Sequence, residues 1–244
     1  MANPIEQFQI KPIIDLHIGG VDVSFTNSSL MMVTVVVGVT AFLTLSMRPR
    51  AVVPGRWQAM AELFYEFIAN MLRDNVGSEG RKYFPFIFTL FMFVLFGNLV
   101  GLIPGAFTYT SQLIVTFTLA AVIFVGVTVI GFARHGLHFL TFFFPHGAPA
   151  VTAVILVPIE LLSYLFRPIS LSVRLFANMT AGHIILTILG GFVVSLGAFY
   201  AVPGAIPLAF LGAVALLEIG IAMLQAYVFT VLACIYLHDA IHMH

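Results

Sequence analysis

PIELLSYLFRPISLSVRLFANMTAGHIILTILG, residues 158–190, is apolar enough to lie in a membrane, yet it carries Glu160, Arg167, Arg174, Asn178 and His183. A charge in hydrocarbon is costly unless it meets a partner or a wet cavity, so each of these residues is a functional candidate. Glu160, Arg167 and Arg174 recur every seven residues, two helical turns, and share one face. Asn178 follows Arg174 by one turn on that face. His183 follows Arg174 by nine residues, about 180° around a helix, and looks elsewhere. Pro158 and Pro168 each remove a backbone donor and are expected to bend or break the segment.

The composition places the whole chain in the same setting. It is 61% hydrophobic and 8% charged, against about 25% charged in soluble proteins, and its mean hydropathy is +1.08. The reading is an all-α integral membrane protein forming one domain over residues 1–244. The formal net charge of zero gives no argument for nucleic acid. The single cysteine, Cys234, excludes an intrachain disulfide framework and most cysteine-based metal sites, and in its apolar run it reads as a small packing residue.

Residues 1–28 are polar, with IGG and TNSS turn signals and with Glu6, Lys11, Asp15 and Asp22 where a cleavable signal peptide would need an apolar core. Residues 29–47 are an uninterrupted apolar run, long enough to span about 30 Å of hydrocarbon. Residues 56–75 differ: Trp57, Met60, Phe64, Phe67, Ile68 and Met71 recur at helical spacing with Glu62, Glu66 and Arg73 between them. That is an amphipathic helix, at the membrane surface or against other helices. Residues 83–103 form a second span, which contains Asn98 and ends at Pro104-Gly105, and 112–133 form a third. The stretch 134–149 reads as a solvated loop; its His135, His138 and His146 lack a metal-binding pattern. Residues 150–200 read as bent membrane helices, 202–207 as a turn, and 207–238 as one long helix with Glu218 and Gln225 seven apart on one face. The total is about five or six membrane helices. Residues 169–200 and 207–238 would each be about 48 Å long, which implies a steeply tilted or protruding C-terminal hairpin.

Basic residues orient the chain. Arg48, Arg50, Arg56, Arg73, Arg81 and Lys82 fall within 48–82, whereas 1–28 hold only Lys11. The positive-inside rule puts 48–82 in the cytoplasm, the N-terminus outside and the C-terminus inside. Glu160 and Arg167 then lie toward the cytoplasm, Arg174 deeper, and His183 and Glu218 toward the outside. His183 and Glu218 can exchange protons; Arg174 cannot and acts as a fixed cation. Titratable groups on the outer half suit one proton path, Glu160 on the inner half suits another, and a permanent cation between them blocks direct transfer. Arg174 also needs a counter-charge, and Glu160 is about 21 Å away along the axis. Either Glu218 folds back onto Arg174, where the pair would serve structure alone, or another subunit supplies the acid.

RLFANMTAGH (174–183) resembles subunit a of the F-type ATP synthase membrane sector. EIGIAMLQAYVFTVLACIYLHDA (218–240), with Glu218, Gln225 and Tyr227 in motif positions, and FGNLVGLIPG (96–105), around Asn98, are similar to the same family. The resemblance covers about residues 29–240. It implies a proton-translocating stator with no catalytic site and no cofactor of its own. This stator would stand beside a ring of c subunits, with peripheral-stalk b subunits, other ATP synthase subunits and the lipid bilayer as further partners. It implies that Arg174 meets each ring carboxylate and prevents a proton short-circuit. By the same resemblance Glu218, His183, Asn98, Asn178 and Gln225 belong to the outer half-channel and Glu160 to the exit side.

Some bacterial members carry the acid at the position of His183 and the histidine at that of Glu218. Here the two are exchanged, as in mitochondrial and alphaproteobacterial members, which suggests that the two side chains meet. A short N-terminus without a transit peptide favours the bacterial inner membrane over the mitochondrial one. There is no Walker motif for binding nucleotide. A stand-alone secondary transporter or channel is the competing reading, but it calls for an internal repeat that this sequence lacks; a purely structural membrane scaffold is a third.

Overall fold

The computed structural model describes residues 8–15, 17–18, 21–22, 24–48, 53–103, 106–136, 138–139, 150–197 and 201–242. Among these described residues six α-helices carry the fold: α1 (Asn27–Ser46), α2 (Arg56–Val76), α3 (Phe84–Gly101), α4 (Leu113–His135), α5 (Ala150–Gly197) and α6 (Ala201–Ile241). Five helical segments are long and apolar enough to cross a membrane, all but α2.

Ahead of α1, the polar N-terminal segment forms two small antiparallel ladders. β1 (Pro12–Ile14) pairs with β4 (Phe25–Thr26), and β2 (His17–Ile18) pairs with β3 (Val21–Asp22). Turn signals alone did not reveal this pairing. Thr26 then caps α1 by accepting from the Ser29 amide, which satisfies one of the donors that a helix start leaves free. Along α1 the hydroxyls of Thr34, Thr40 and Thr44 donate to the carbonyls of Leu30, Val36 and Thr40. Polar groups in a lipid-facing run are thereby satisfied within the helix itself.

α2 packs into the body of the protein along one stripe. Ile68, Met71, Leu72 and Val76 are buried in the core that α3, α5 and α6 share, while Trp57 and Tyr65 stay exposed. Phe64 and Phe67 stack their rings against Phe91 of α3. α3 is the most enclosed span, with Ile87, Leu90, Phe91, Met92, Val94 and Leu95 buried. α4 runs on through Arg134 and His135, which the sequence assigned to a loop, and ends where Gly136 adopts a positive φ of 57°. Arg134 pairs with Glu79, and His135 Nε2 lies 3.2 Å from the Ile241 carbonyl oxygen. These contacts tie the end of α4 to the ends of its neighbours. His146 lies outside the described residues.

In the C-terminal region the expected break at the prolines of 150–200 and the expected turn after it are both corrected. α5 is one helix of 48 residues that passes through Pro158 and Pro168 unbroken. Each proline removes a single ladder bond, and membrane helices accommodate that because neighbouring groups satisfy the freed carbonyl. The turn expected at Val202–Pro207 is helix, part of the 41 residues of α6. Pro203 stands at the third helical position, where the amide has no intrahelical acceptor to lose. The connection at 198–200 lies outside the described residues. At 1.5 Å per residue the two helices measure about 70 and about 60 Å, twice the hydrocarbon thickness. Oblique passage or protrusion follows more strongly than from the shorter lengths read in the sequence.

Two contacts fix α5 and α6 as an antiparallel pair: Arg167 meets Asp239, and Gly182 meets Glu218. The buried stripe of α6 is Glu218, Ala222, Gln225, Ala226, Phe229, Ala233, Cys234 and Leu237, spaced as one helical face requires. Its alanines let the neighbouring backbones come close, as small residues do at interfaces between membrane helices. Cys234 is fully buried among them.

Candidate functional site

The charges of α5 divide in a way that their common spacing conceals. Arg167 is clamped. Its Nη1 donates to Asp239 Oδ2 at 3.0 Å, and its guanidinium lies over the rings of Tyr164 and Tyr236 at 5.2 and 4.9 Å. Counter-ion and cation–π contacts together make it a fastener of the hairpin. Arg174, two turns on, is exposed, and no carboxylate among the described residues pairs with it. Asn178 is half-buried one turn further, and Glu160 is half-buried two turns before Arg167.

On α6, Glu218 is 5% exposed, and neither carboxylate oxygen has a hydrogen-bond partner among the described residues. Its carboxyl sits where a side chain at 182 would begin: a Cβ on Gly182 would lie 2.8 Å from Glu218 Cδ. Gly182→Ala is therefore expected to displace Glu218. Only the mobile end of the side chain has to move, so the fold should survive while function falls several-fold. Assembly scored against proton flux in membranes checks this.

Two expectations about Glu218 fail on this geometry. It does not fold back onto Arg174. Gly182, which Glu218 faces, lies eight residues beyond Arg174, about 12 Å along the axis. Nor does Glu218 bond to His183. The His183 ring is turned to Thr108, whose Oγ1 is 2.8 Å from Nε2. The acid and the imidazole are near neighbours through Gly182, but each faces its own surroundings.

The structure brings Asn98, Gln225 and Glu218 to one seam. Asn98 of α3 is fully buried and donates from Nδ2 to the carbonyl of Ala222, 3.4 Å away, one turn beyond Glu218. Its Oδ1 has no hydrogen-bond partner among the described residues. Gln225 is 4% exposed on the same stripe of α6. Tyr227 stands off that stripe: it is 45% exposed, with its ring 5.9 Å from Phe67 of α2.

A cavity of about 790 Å³ opens beside His183. Thr187 and Gly190 of α5, Leu211 and Ala215 of α6, and Gln9, Lys11 and Asn27 of the N-terminal segment line it. That segment is fastened in place. Asn27 Nδ2 donates to the Gln9 carbonyl at 3.1 Å, and Gln112 Nε2 donates to the Phe8 carbonyl at 2.8 Å. Thr108, Gly182, Asp239 and the N-terminal wall of the cavity all escaped the sequence reading. For Asp239 there was a signal, since Arg167 needed an acid and the last turns of α6 hold one.

Long apolar helices with ionisable groups in a cavity wall and a helix seam define a polytopic membrane protein. Comparison with known proteins gives this class its family. The ATP synthase A chain family matches residues 29–238, and the chain belongs to it. Over the full length of both chains it is 73% identical to ATP synthase subunit a of Paramagnetospirillum magneticum and 59% identical to that of Rhodospirillum rubrum. It is 56% identical to ATP synthase subunit a of Mesorhizobium japonicum, covering 99% of this chain and 97% of that one.

Proposed function

We propose that this chain is the proton-conducting stator of an F-type ATP synthase in a bacterial inner membrane, with its N-terminus outside and its C-terminus in the cytoplasm. The observation that carries this reading is the separation of two opposite charges within one hairpin. Arg174 is exposed and unpaired among the described residues, while Glu218 is buried and unpartnered about 12 Å further along. A structural ion pair would have joined them. Kept apart, the arginine is offered to a carboxylate on another chain, and the glutamate is left to exchange protons.

In this mechanism the cavity beside His183 is the outer half-channel. Protons pass it and the His183, Glu218, Asn98 and Gln225 region, with Asn178 at its inner end, and neutralise a carboxylate on a ring of c subunits. Each carboxylate releases its proton on the other side of Arg174 into a second half-channel marked by Glu160. Arg174 cannot give up its proton, so it passes none on, and it attracts the ring carboxylate only while that group is charged. Tyr227, at the α2–α6 contact, shapes the helix pair around the path. Peripheral-stalk b subunits hold the chain against rotation. A proton crossing about 100 mV delivers about 2.3 kcal/mol, so several protons serve each ATP.

Reconstitution tests the reading. Vesicles holding the complete complex should make ATP from an imposed proton gradient. Vesicles holding the purified chain alone should take up no solute. Gradient-driven solute uptake by the chain alone would overturn the stator in favour of a secondary transporter.

A further inference from the structure

The segment between α3 and α4 presses one hydroxyl against His183. Thr108 Oγ1 lies 2.8 Å from His183 Nε2 and 3.0 Å from the carbonyl oxygen of Gly101. Thr108 is buried. A carbonyl only accepts, and threonine has a single hydroxyl hydrogen. That hydrogen goes to Gly101. The Thr108 oxygen is then left to accept, and the donor between it and the ring is Nε2–H. In a neutral imidazole that carries its proton on Nε2, Nδ1 is the only basic nitrogen.

The position of this hydroxyl is built by its surroundings. A Cβ on Gly101 would stand 2.6 Å from Thr108 Cγ2 and 2.7 Å from Oγ1, so the threonine is seated where only glycine leaves room. Tyr109, beside it, donates to the Phe93 carbonyl at 2.9 Å, and Ser111 Oγ donates back to the Thr108 carbonyl at 2.6 Å. Thr180 of α5 donates to the Ser111 carbonyl at 3.5 Å. On the open side Phe8 meets the imidazole edge-on, with ring centroids 6.3 Å apart. Among the described residues, the charged groups beside the ring are Lys11, which lines the same cavity, and Glu218, which packs on Gly182.

We infer that Thr108 is a positioning residue for the proton path: it holds His183 as the Nε2–H tautomer, so that protons bind and leave at Nδ1. This rests on the reading of His183 as part of that path. The proton count balances. Neutral His183 gains one proton at Nδ1, keeps its Nε2–H on Thr108 while charged, and returns to the same tautomer when the Nδ1 proton leaves. Without the anchor the ring can gain a proton on one nitrogen and lose it from the other, and it must then rotate or exchange before the next cycle.

The test uses the complete ATP synthase in inverted membrane vesicles. Thr108→Val keeps the shape and removes the hydroxyl; Thr108→Ser keeps the hydroxyl. The valine variant should assemble normally, pump protons about ten-fold more slowly and show a displaced pH profile, while serine stays within about two-fold with the profile unchanged. A valine variant with wild-type rate and profile overturns the inference. If valine blocks assembly, Thr108→Ala, which fits the same seat, carries the same expectations and is overturned by the same result. His183→Ala separates the two readings. Wild-type pumping in that variant removes His183 from the path. Lost pumping there, with normal pumping in the Thr108 variants, rejects only the tautomer assignment.

Discussion

Arg174→Ala is expected to leave the ATP synthase assembled and to reduce ATP-driven proton pumping by ~100-fold or more, the scale on which a fixed charge aimed at a reacting group acts. The reason lies in how Arg174 is held. It is exposed, and among the described residues it has no ion pair that its removal would leave widowed. Losing it therefore takes nothing from the folded chain. Removing Arg167 would be different, because Asp239 and the rings of Tyr164 and Tyr236 depend on it. The measurement is quenching of a pH-sensitive dye in inverted vesicles, beside an immunoblot for assembly. Normal pumping with normal assembly would refute the role given to Arg174. Lysine at 174 keeps the charge and loses the planar guanidinium, so partial recovery in Arg174→Lys would mark charge as the larger part.

Glu218→Gln should lower proton flux by about 10- to 100-fold, within the range of a lost acid–base group. Glutamine is nearly isosteric and fills the same space against Gly182, so the helix seam should hold and assembly should stay normal. Because no group among the described residues bonds the Glu218 oxygens, the substitution breaks no partnership there, and a fall in flux reports the loss of proton exchange itself. Wild-type flux in Glu218→Gln would take this residue off the path. The double exchange His183→Glu with Glu218→His is expected to bring no recovery over the single changes, since the two side chains face different surroundings. Flux in the double variant clearly above that of both single variants would mean that they meet during turnover.

The all-α membrane class was legible because apolar runs long enough to cross hydrocarbon have few other uses. The shared face of Glu218 and Gln225 was legible too, since a spacing of seven survives in any helix and the core reads it out directly. Three things were not legible. Pro-Gly-Ala-Ile-Pro at 203–207 is a strong local turn signal, but Pro203 falls among the free amides of a helix start, and Pro207, inside α6, costs the single ladder bond that a membrane helix tolerates, so the position along α6 decided against the local signal. The partner of Arg167 depended on the register of two antiparallel helices, which no linear pattern encodes. The contact of His183 with Thr108 joins residues 75 apart, through a stretch whose lack of charge gave no reason to look. The supposed meeting of His183 and Glu218 had the same weakness in reverse. An exchange of residue types between relatives indicates nearness, and nearness through Gly182 is not a bond.

The open flank of α5 has a consequence for how the protein is made. In the proposed stator, the central cation is satisfied by another chain, so this chain is incomplete when it leaves the ribosome. An arginine in mid-membrane without a partner carries an insertion cost of about 2.5–3.5 kcal/mol, which the rest of the apolar sequence can bear but which persists until the counter-charge arrives. On that reading the free chain is the less stable form, and assembly should add stability at the same residue that is proposed to serve function. Cells that make this chain in excess of its partners should hold it as a short-lived species, and its lifetime should lengthen when Arg174 is replaced by a neutral residue.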